Sequence, residues 1–130
     1  MTRAVRTGLI GCGKIAKIHA RALHDLPEAE FVAVCDTDEG RARALAEEHD
    51  VPQRYTSVRE MLGSGEIEAV LICAPHPAHA ALVVAAAQAG VHVLCEKPIS
   101  ITLEAADQMV DATDAAGVKF GVIFQRRFWP

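Results

Sequence analysis

Short runs of apolar and β-branched residues alternate with longer helix-like stretches along this chain, and that alternation restricts the fold more than any other feature. Strands joined by ten or more residues of helical pattern cannot pair as hairpins; they are crossed over and laid parallel. Val5–Ile10 (VRTGLI) reads as a first strand, followed by a glycine turn and a helix over residues 14–26 that Pro27 closes. Residues 30–35 (EFVAVC) form a second strand, and 38–49 a second helix, charged outward with alanine and leucine inward. Residues 53–55 make a weak third strand, and Ser57-Val58-Arg59-Glu60 has the capping-box spacing that opens a short helix through Met61 and Leu62. The almost wholly apolar stretch 69–73 (AVLIC) suits a strand buried on both faces of a parallel sheet. Pro77 fits the first turn of the next helix and Gly90 its end. Residues 91–95 are a further strand, 102–116 a helix stopped by Gly117, and 118–124 the last strand. The predicted class is α/β, a doubly wound parallel sheet of about six strands built from βαβ units, with residues 1–130 as one domain.

Composition narrows what such a domain does. Half of the residues are apolar (51%) and 23% are charged, the balance of a folded globular chain. A net charge of −4 argues against nucleic acid as a partner, because a phosphate backbone demands a basic surface. The longest nearly uncharged apolar stretch, 78–91, is broken by His79, Gln88 and Gly90 and falls short of the ~20 residues a bilayer requires, so no membrane span is expected. The N-terminus runs into the first strand without a signal-peptide core, and a cytoplasmic location is expected. Cys12, Cys35, Cys73 and Cys95 are 22 to 38 residues apart with no CxxC pair, so neither a metal site nor a disulfide framework is expected. They read as small buried hydrophobes.

The chemistry begins at Gly11-Cys12-Gly13-Lys14-Ile15-Ala16, which directly follows the first strand and opens the first helix. In the dinucleotide fingerprint of a Rossmann fold, the first glycine makes the tight turn and the second lets backbone approach a pyrophosphate. The small third residue allows close helix–strand packing. The helix N-terminus presents free N–H groups and partial positive charge to the phosphates. Asp36 ends the second strand 23 residues after Gly13, where an acid accepts hydrogen bonds from the adenosine ribose hydroxyls. A carboxylate there repels a 2′-phosphate, and Thr37 and Asp38 supply no cation, so NAD is expected over NADP. Arg41 and Arg43 on the following helix read chiefly as solvated charges.

In doubly wound sheets the ligand lies across the carboxyl ends of the strands. After the strand at 69–73 comes Ala74-Pro75-His76-Pro77-Ala78-His79, two prolines fixing backbone and two histidines placed where ribose or nicotinamide would pass. After the strand at 91–95 comes Glu96-Lys97-Pro98. Burial brings a lysine toward the range useful for proton transfer. A plain strand-end salt bridge between Glu96 and Lys97 is the competing reading, and a cis peptide before Pro98 would fix the lysine's direction.

Taken together, Gly11-Cys-Gly-Lys-Ile-Ala, the Val-Cys-Asp36 strand end, Ala-Pro75-His-Pro-Ala-His79, Gly90-Val-His-Val-Leu-Cys-Glu96-Lys97-Pro98 and Arg127-Phe128-Trp-Pro130 resemble the Gfo/Idh/MocA oxidoreductases. The resemblance covers essentially the whole chain, with Glu-Lys-Pro its most specific element. It implies an NAD(P)-dependent oxidoreductase acting on a sugar, inositol or related polyol, with Lys97 as the catalytic residue assisting the proton. It also implies a cofactor-contacting set of Gly11, Gly13, Lys14, Ile15, Asp36, Thr37, Ala74, Pro75, His76, His79, Glu96, Lys97 and Arg127. The family often has asparagine where this chain has His76, and glycine where it has Ala16. Full members carry a second α/β domain that supplies much of the substrate pocket and associates into homo-oligomers. This chain is therefore expected to be the cofactor-binding domain alone, binding NAD with little turnover, its Phe128-Trp129 pair either packing against something absent or folding back on its own domain. A stand-alone dinucleotide-binding or sensor module is the alternative. A methyltransferase using S-adenosylmethionine shares the fold but has no reason to carry Glu-Lys-Pro.

Overall fold

A computed structural model describes residues 3–100 and 102–123. The elements run β1 (Val5–Ile10), α1 (Lys14–Asp25), β2 (Ala29–Cys35), α2 (Glu39–Glu48), β3 (Gln53–Tyr55) and α3 (Val58–Gly63). The second half follows with β4 (Ala69–Ile72), a 3₁₀ turn (His76–Ala78), α4 (His79–Gln88), β5 (His92–Glu96), α5 (Leu103–Ala116) and β6 (Phe120–Ile123). Every strand pairing is parallel, in the order β3-β2-β1-β4-β5-β6. This is the Rossmann order, and its direction of winding reverses between β1 and β4, where a crevice opens at the carboxyl edge.

The local chemistry explains the boundaries. Asp38, Ser57 and Thr102 each accept a backbone N–H three residues on, at 3.1, 3.2 and 3.0 Å, and so start α2, α3 and α5. Gly117 stops α5 in the left-handed conformation at φ +68°. Several expected boundaries move by a residue or two, and two of the shifts have a visible cause. Pro77 lies in the 3₁₀ turn ahead of α4 instead of in the helix's own first turn. The last strand begins at Phe120, because the Lys119 N–H is spent on the His92 ring (Nδ1, 2.9 Å).

Alternation of side chains along the strands divides the core into two layers. Leu9, Val34, Leu71 and Cys73 meet Ala16 and Ala20 of α1 and Ala42, Leu45 and Ala46 of α2 on one face. Ile10, Ile72, Val93 and Cys95 meet Met61 of α3, Val83 and Ala86 of α4 and Met109 of α5 on the other. Among the described residues no helix is long and apolar enough to cross a membrane.

At the amino edge of the sheet, Glu68 ties the chain ahead of β4 to β1. Its carboxylate accepts the Arg6 N–H (2.9 Å) and pairs with the Arg3 guanidinium. The Arg3 hydrogen bonds and the Arg6 N–H pull the Glu68 carboxyl down from its ordinary value to about 2. A depressed carboxyl contributes stability above its unfolded value and loses it as pH falls through the folded one. Thermal melts of the protein and of Glu68→Gln should therefore differ most above about pH 5 and converge by about pH 2. A gap that is constant over that range would show that Glu68 is not the titrating group.

Candidate functional site

The crevice is built on the turn between β1 and α1. Gly11 has φ +91°, and a Cβ there would stand 2.7 Å from the Ala74 nitrogen and 2.7 Å from the Cys73 carbonyl carbon. Its N–H donates to the Cys35 carbonyl at 2.8 Å. Glycine is thus demanded twice, by conformation and by the backbone of the neighbouring strand end. Gly13 differs: its φ is an ordinary −82°, and a Cβ would meet nothing within 4 Å. The protein itself has no packing need for glycine there, and what the missing side chain preserves is open space in front of the helix. Ala16, the small third residue, is fully buried against the sheet.

The N-terminus of α1 faces that space unoccupied by protein. Gly13 caps it without a side-chain hydrogen bond, and no acidic residue lies in its first turn. Its orphan N–H groups and positive dipole end are therefore available to an anion. Lys14 and Ile15 of the first turn are exposed at the cleft.

Asp36, just beyond β2, forms the facing wall. Its Oδ2 accepts the Cys12 N–H at 2.8 Å and its Oδ1 accepts the Asp38 N–H at 2.8 Å. Each oxygen keeps a further lone pair, and the side chain is only half-buried. Thr37 is exposed beside it. A cavity of about 530 Å³ runs from the glycine turn past Asp36 and Arg41 to Ala74–Pro77 and Glu96. A smaller one of about 240 Å³ lies between Asp36, Thr37 and Arg41 on one side and Val58, Pro75 and Leu82 on the other. Both fall near or within the range of small-molecule sites. Arg41 borders both, so it is more than the solvated helix charge the sequence suggested. Arg43 does lie on the outer face, 3.6 Å from Glu39.

The loop after β4 divides the two histidines. Pro75 and His76 line the larger cavity, with His76 exposed. His79, expected at the cofactor, is instead fully buried: Nδ1 lies 2.9 Å from the Pro98 carbonyl and Nε2 2.9 Å from the Ala74 carbonyl. As the first residue of α4 it points inward, tying the loop after β4 to the loop after β5, and it lines neither cavity. Its contacts hold the two walls of the cleft together.

At the end of β5 the peptide before Pro98 is cis. Glu96 lines the larger cavity and binds His19 of α1, Oε2 to Nε2 at 2.8 Å. The competing Glu96–Lys97 salt bridge is absent among the described residues, where Lys97 is exposed and makes no ion pair. The burial invoked for Lys97 is not supplied by these elements. Sequence alone does not single out His19; its signal is an unexplained polar residue on a helix whose neighbours Ala16 and Ala20 are core. Arg127 and the Phe128-Trp129 pair lie outside the described residues.

All four cysteines are free and buried at the strand ends around the cleft. Burial pushes Cys12, Cys73 and Cys95 up to about 12 and Cys35 to about 11, with the Asp36 and Glu96 charges adding to the effect. Such thiols are poor nucleophiles.

A family model described as an oxidoreductase family with an NAD-binding Rossmann fold, Gfo/Idh/MocA, matches residues 5–124. Myo-inositol 2-dehydrogenase of Thermotoga maritima is 38% identical over 124 residues, 95% of this chain and 37% of that protein. D-apiose dehydrogenase of Paraburkholderia graminis is 39% identical over 122 residues, 94% of this chain and 32% of that protein. Among solved structures, the WlbA dehydrogenase from Bordetella pertussis in complex with NADH and UDP-GlcNAcA superposes with a TM-score of 0.91 at 35% identity, covering 98% of this chain and 39% of that one. Scyllo-inositol dehydrogenase from Lactobacillus casei, with bound NAD(H) and scyllo-inositol, gives 0.90 at 28% identity, covering 96% and 37%. The chain spans less than two-fifths of the length of these relatives.

The two glycines of the turn are experimentally separable. Gly13→Ala should leave the melting temperature within about 2 °C while weakening dinucleotide binding at least tenfold, since a methyl group enters only the open space. Gly11→Ala should cost roughly 1–3 kcal/mol of stability from conformation alone. Calorimetry on both variants checks this, and equal destabilisation by the two would refute it.

Proposed function

We propose, from the premise that this chain belongs to the Gfo/Idh/MocA oxidoreductases and carries their NAD-binding Rossmann fold, that it is the cofactor-holding part of an enzyme moving hydride between NAD and a sugar, inositol or related polyol. The observation that carries this reading is the space at Gly13, which no protein atom needs and which lies at the uncapped N-terminus of α1. The residues fit a dinucleotide. Backbone N–H groups around Gly13, Lys14 and Ile15 meet the pyrophosphate, and the spare lone pairs of Asp36 take ribose hydroxyls. Ala74, Pro75, His76 and Glu96 border the path toward the nicotinamide, which when bound supplies the site that accepts or gives hydride.

The finer assignments rest on charge and placement. NAD is favoured over NADP because Asp36 sets a fixed carboxylate at the ribose edge, and because Arg41, which lines the cavity beside it, has its Nε 4.0 Å from the Asp38 carboxylate. Lys97, exposed at the end of β5, holds or takes the proton at the substrate oxygen through its Nζ. A polyol substrate agrees with the names of the inositol and apiose dehydrogenases above. The remaining length of such relatives is where a substrate pocket and homo-oligomeric contacts would be built. Taken alone, the 130-residue chain binds cofactor with little turnover, in a cytoplasmic setting.

Titration calorimetry with NAD, NADP and S-adenosylmethionine tests the reading, with heat expected from the dinucleotides only. Asp36→Ala should weaken NAD by about tenfold, the scale of hydrogen bonds to a charged group, and raise the NADP-to-NAD affinity ratio. The ratio is the deciding quantity, because the substitution also strips acceptors from the Cys12 and Asp38 N–H groups. An unchanged ratio would sink the assignment of Asp36 to the ribose.

A further inference from the structure

We propose that His19 is a positioning residue for the proposed chemistry: by engaging Glu96 it keeps that carboxylate off Lys97, so that the lysine's ammonium remains available to the substrate oxygen. The inference rests on the reading that Lys97 meets the reacting centre, and it concerns how this chain arranges its own charges before any ligand arrives.

Glu96 and Lys97 are consecutive residues of opposite charge at the end of a strand, where nothing in the sequence prevents them from pairing. Strand alternation separates them first. Val93 and Cys95 point into the layer beneath α4 and α5, so Glu96 points to the opposite face, the one covered by α1. On that face α1 is set close to the sheet by Ala16 and Ala20, whose small side chains are fully buried. His19, three residues after Ala16, occupies the same flank. Its Nε2 reaches Glu96 Oε2 at 2.8 Å, a contact between residues 77 apart in sequence. Whether the ring is the neutral Nε2–H tautomer or doubly protonated, Nε2 carries the hydrogen and the carboxylate accepts it.

Shelter gives the pair its preference. The His19 side chain is 18% exposed and that of Glu96 13%, whereas Lys97 is an exposed residue. A carboxylate held in a half-buried hydrogen bond gains more than it would from a solvated ammonium, whose attraction is screened and whose long stem must be immobilised. Without His19, the buried-side partner is gone, and the ammonium of the adjacent Lys97 is open to satisfy Glu96. The same contact joins the helix that cradles the phosphates to the strand end that bears the lysine, so the two ends of the cleft share one hydrogen bond.

The test uses the chain without cofactor, so its outcome is independent of whether the site binds a dinucleotide. Lysines are acetylated with limiting acetic anhydride, and the rate at Lys97 is read by mass spectrometry against exposed Lys119 as internal standard. His19→Leu should slow Lys97 by about threefold, the scale of an exposed ion pair, as Glu96 swings onto it. His19→Gln, whose amide N–H can still hold Glu96, should restore the rate. Glu96→Gln alone should leave it unchanged, and the double variant His19→Leu with Glu96→Gln should return it to the starting value. A merely structural His19 would not be rescued by removing a second residue. An unchanged Lys97 rate in a folded His19→Leu protein overturns the proposal. So does a rise of about threefold in Glu96→Gln alone, which would mean Glu96 was on Lys97 from the start. Should His19→Leu fail to fold, His19→Ala is read in its place, with the same slowing expected and an unchanged rate again overturning the proposal.

Discussion

The close approach of Gly11 to the backbone at Cys73–Ala74 is the constraint on which the rest of the site depends. Adding a Cβ would place an atom 2.7 Å from the neighbouring strand end, so β1 and β4 separate wherever Gly11 is replaced. Those two strands flank the reversal of the winding, and the crevice exists only because they are adjacent there. The turn is held from the other side by two hydrogen bonds to the end of β2, Gly11 N–H to the Cys35 carbonyl and Cys12 N–H to Asp36. Three strand ends are thereby fixed relative to the start of α1, and the helix dipole is aimed before a ligand supplies any energy of its own.

The cations and anions around this frame are distributed unevenly in a way that serves binding. The chain is acidic overall, with a net charge of −4, yet the first turn of α1 contains no acid and the cleft beside it carries Lys14 and Arg41. The acids that do reach the cleft are already committed, Asp36 to two backbone N–H groups and Glu96 to His19. Carboxylates engaged in this way keep their direction without competing for the orphan N–H groups, so an anion entering at Gly13 finds donors still free.

Most of the fold was legible because parallel α/β chains announce themselves through long-range alternation and through caps. Ser57, Thr102 and Gly117 each marked a boundary that the backbone obeys. The fingerprint at Gly11–Ala16 and the acid at Asp36 were legible for the same reason, being fixed by backbone geometry that only a few residue types satisfy. What could not be read was the direction of single side chains. His79 and His76 sit three residues apart in one loop, and sequence treats them alike; a 3₁₀ turn followed by α4 sends one into the core and the other to the cleft. Glu96 presented two possible partners, and the winning one lies 77 residues away on a helix face that no local pattern identifies. Arg41 resembled its neighbour Arg43 until the rotation of α2 set one at the cavity and the other outside.

On the proposed assignment of Asp36 to the ribose, cofactor choice and stability are bound together in one side chain. A residue that only selected a ribose would be exchangeable for one that selects a phosphate. Here the same two oxygens close the glycine turn through Cys12 and shape the start of α2 through the Asp38 N–H. Replacing the carboxylate removes the acceptor of the part-buried Cys12 N–H, which costs of order 1–3 kcal/mol when left unpaired, while the exposed Asp38 N–H turns to water. A route to NADP in this scaffold therefore cannot pass through Asp36 alone. It requires a new acceptor for the turn as well as a cation for the phosphate, and Arg41 lines the cavity beside Asp36 and Thr37 where such a cation would be needed.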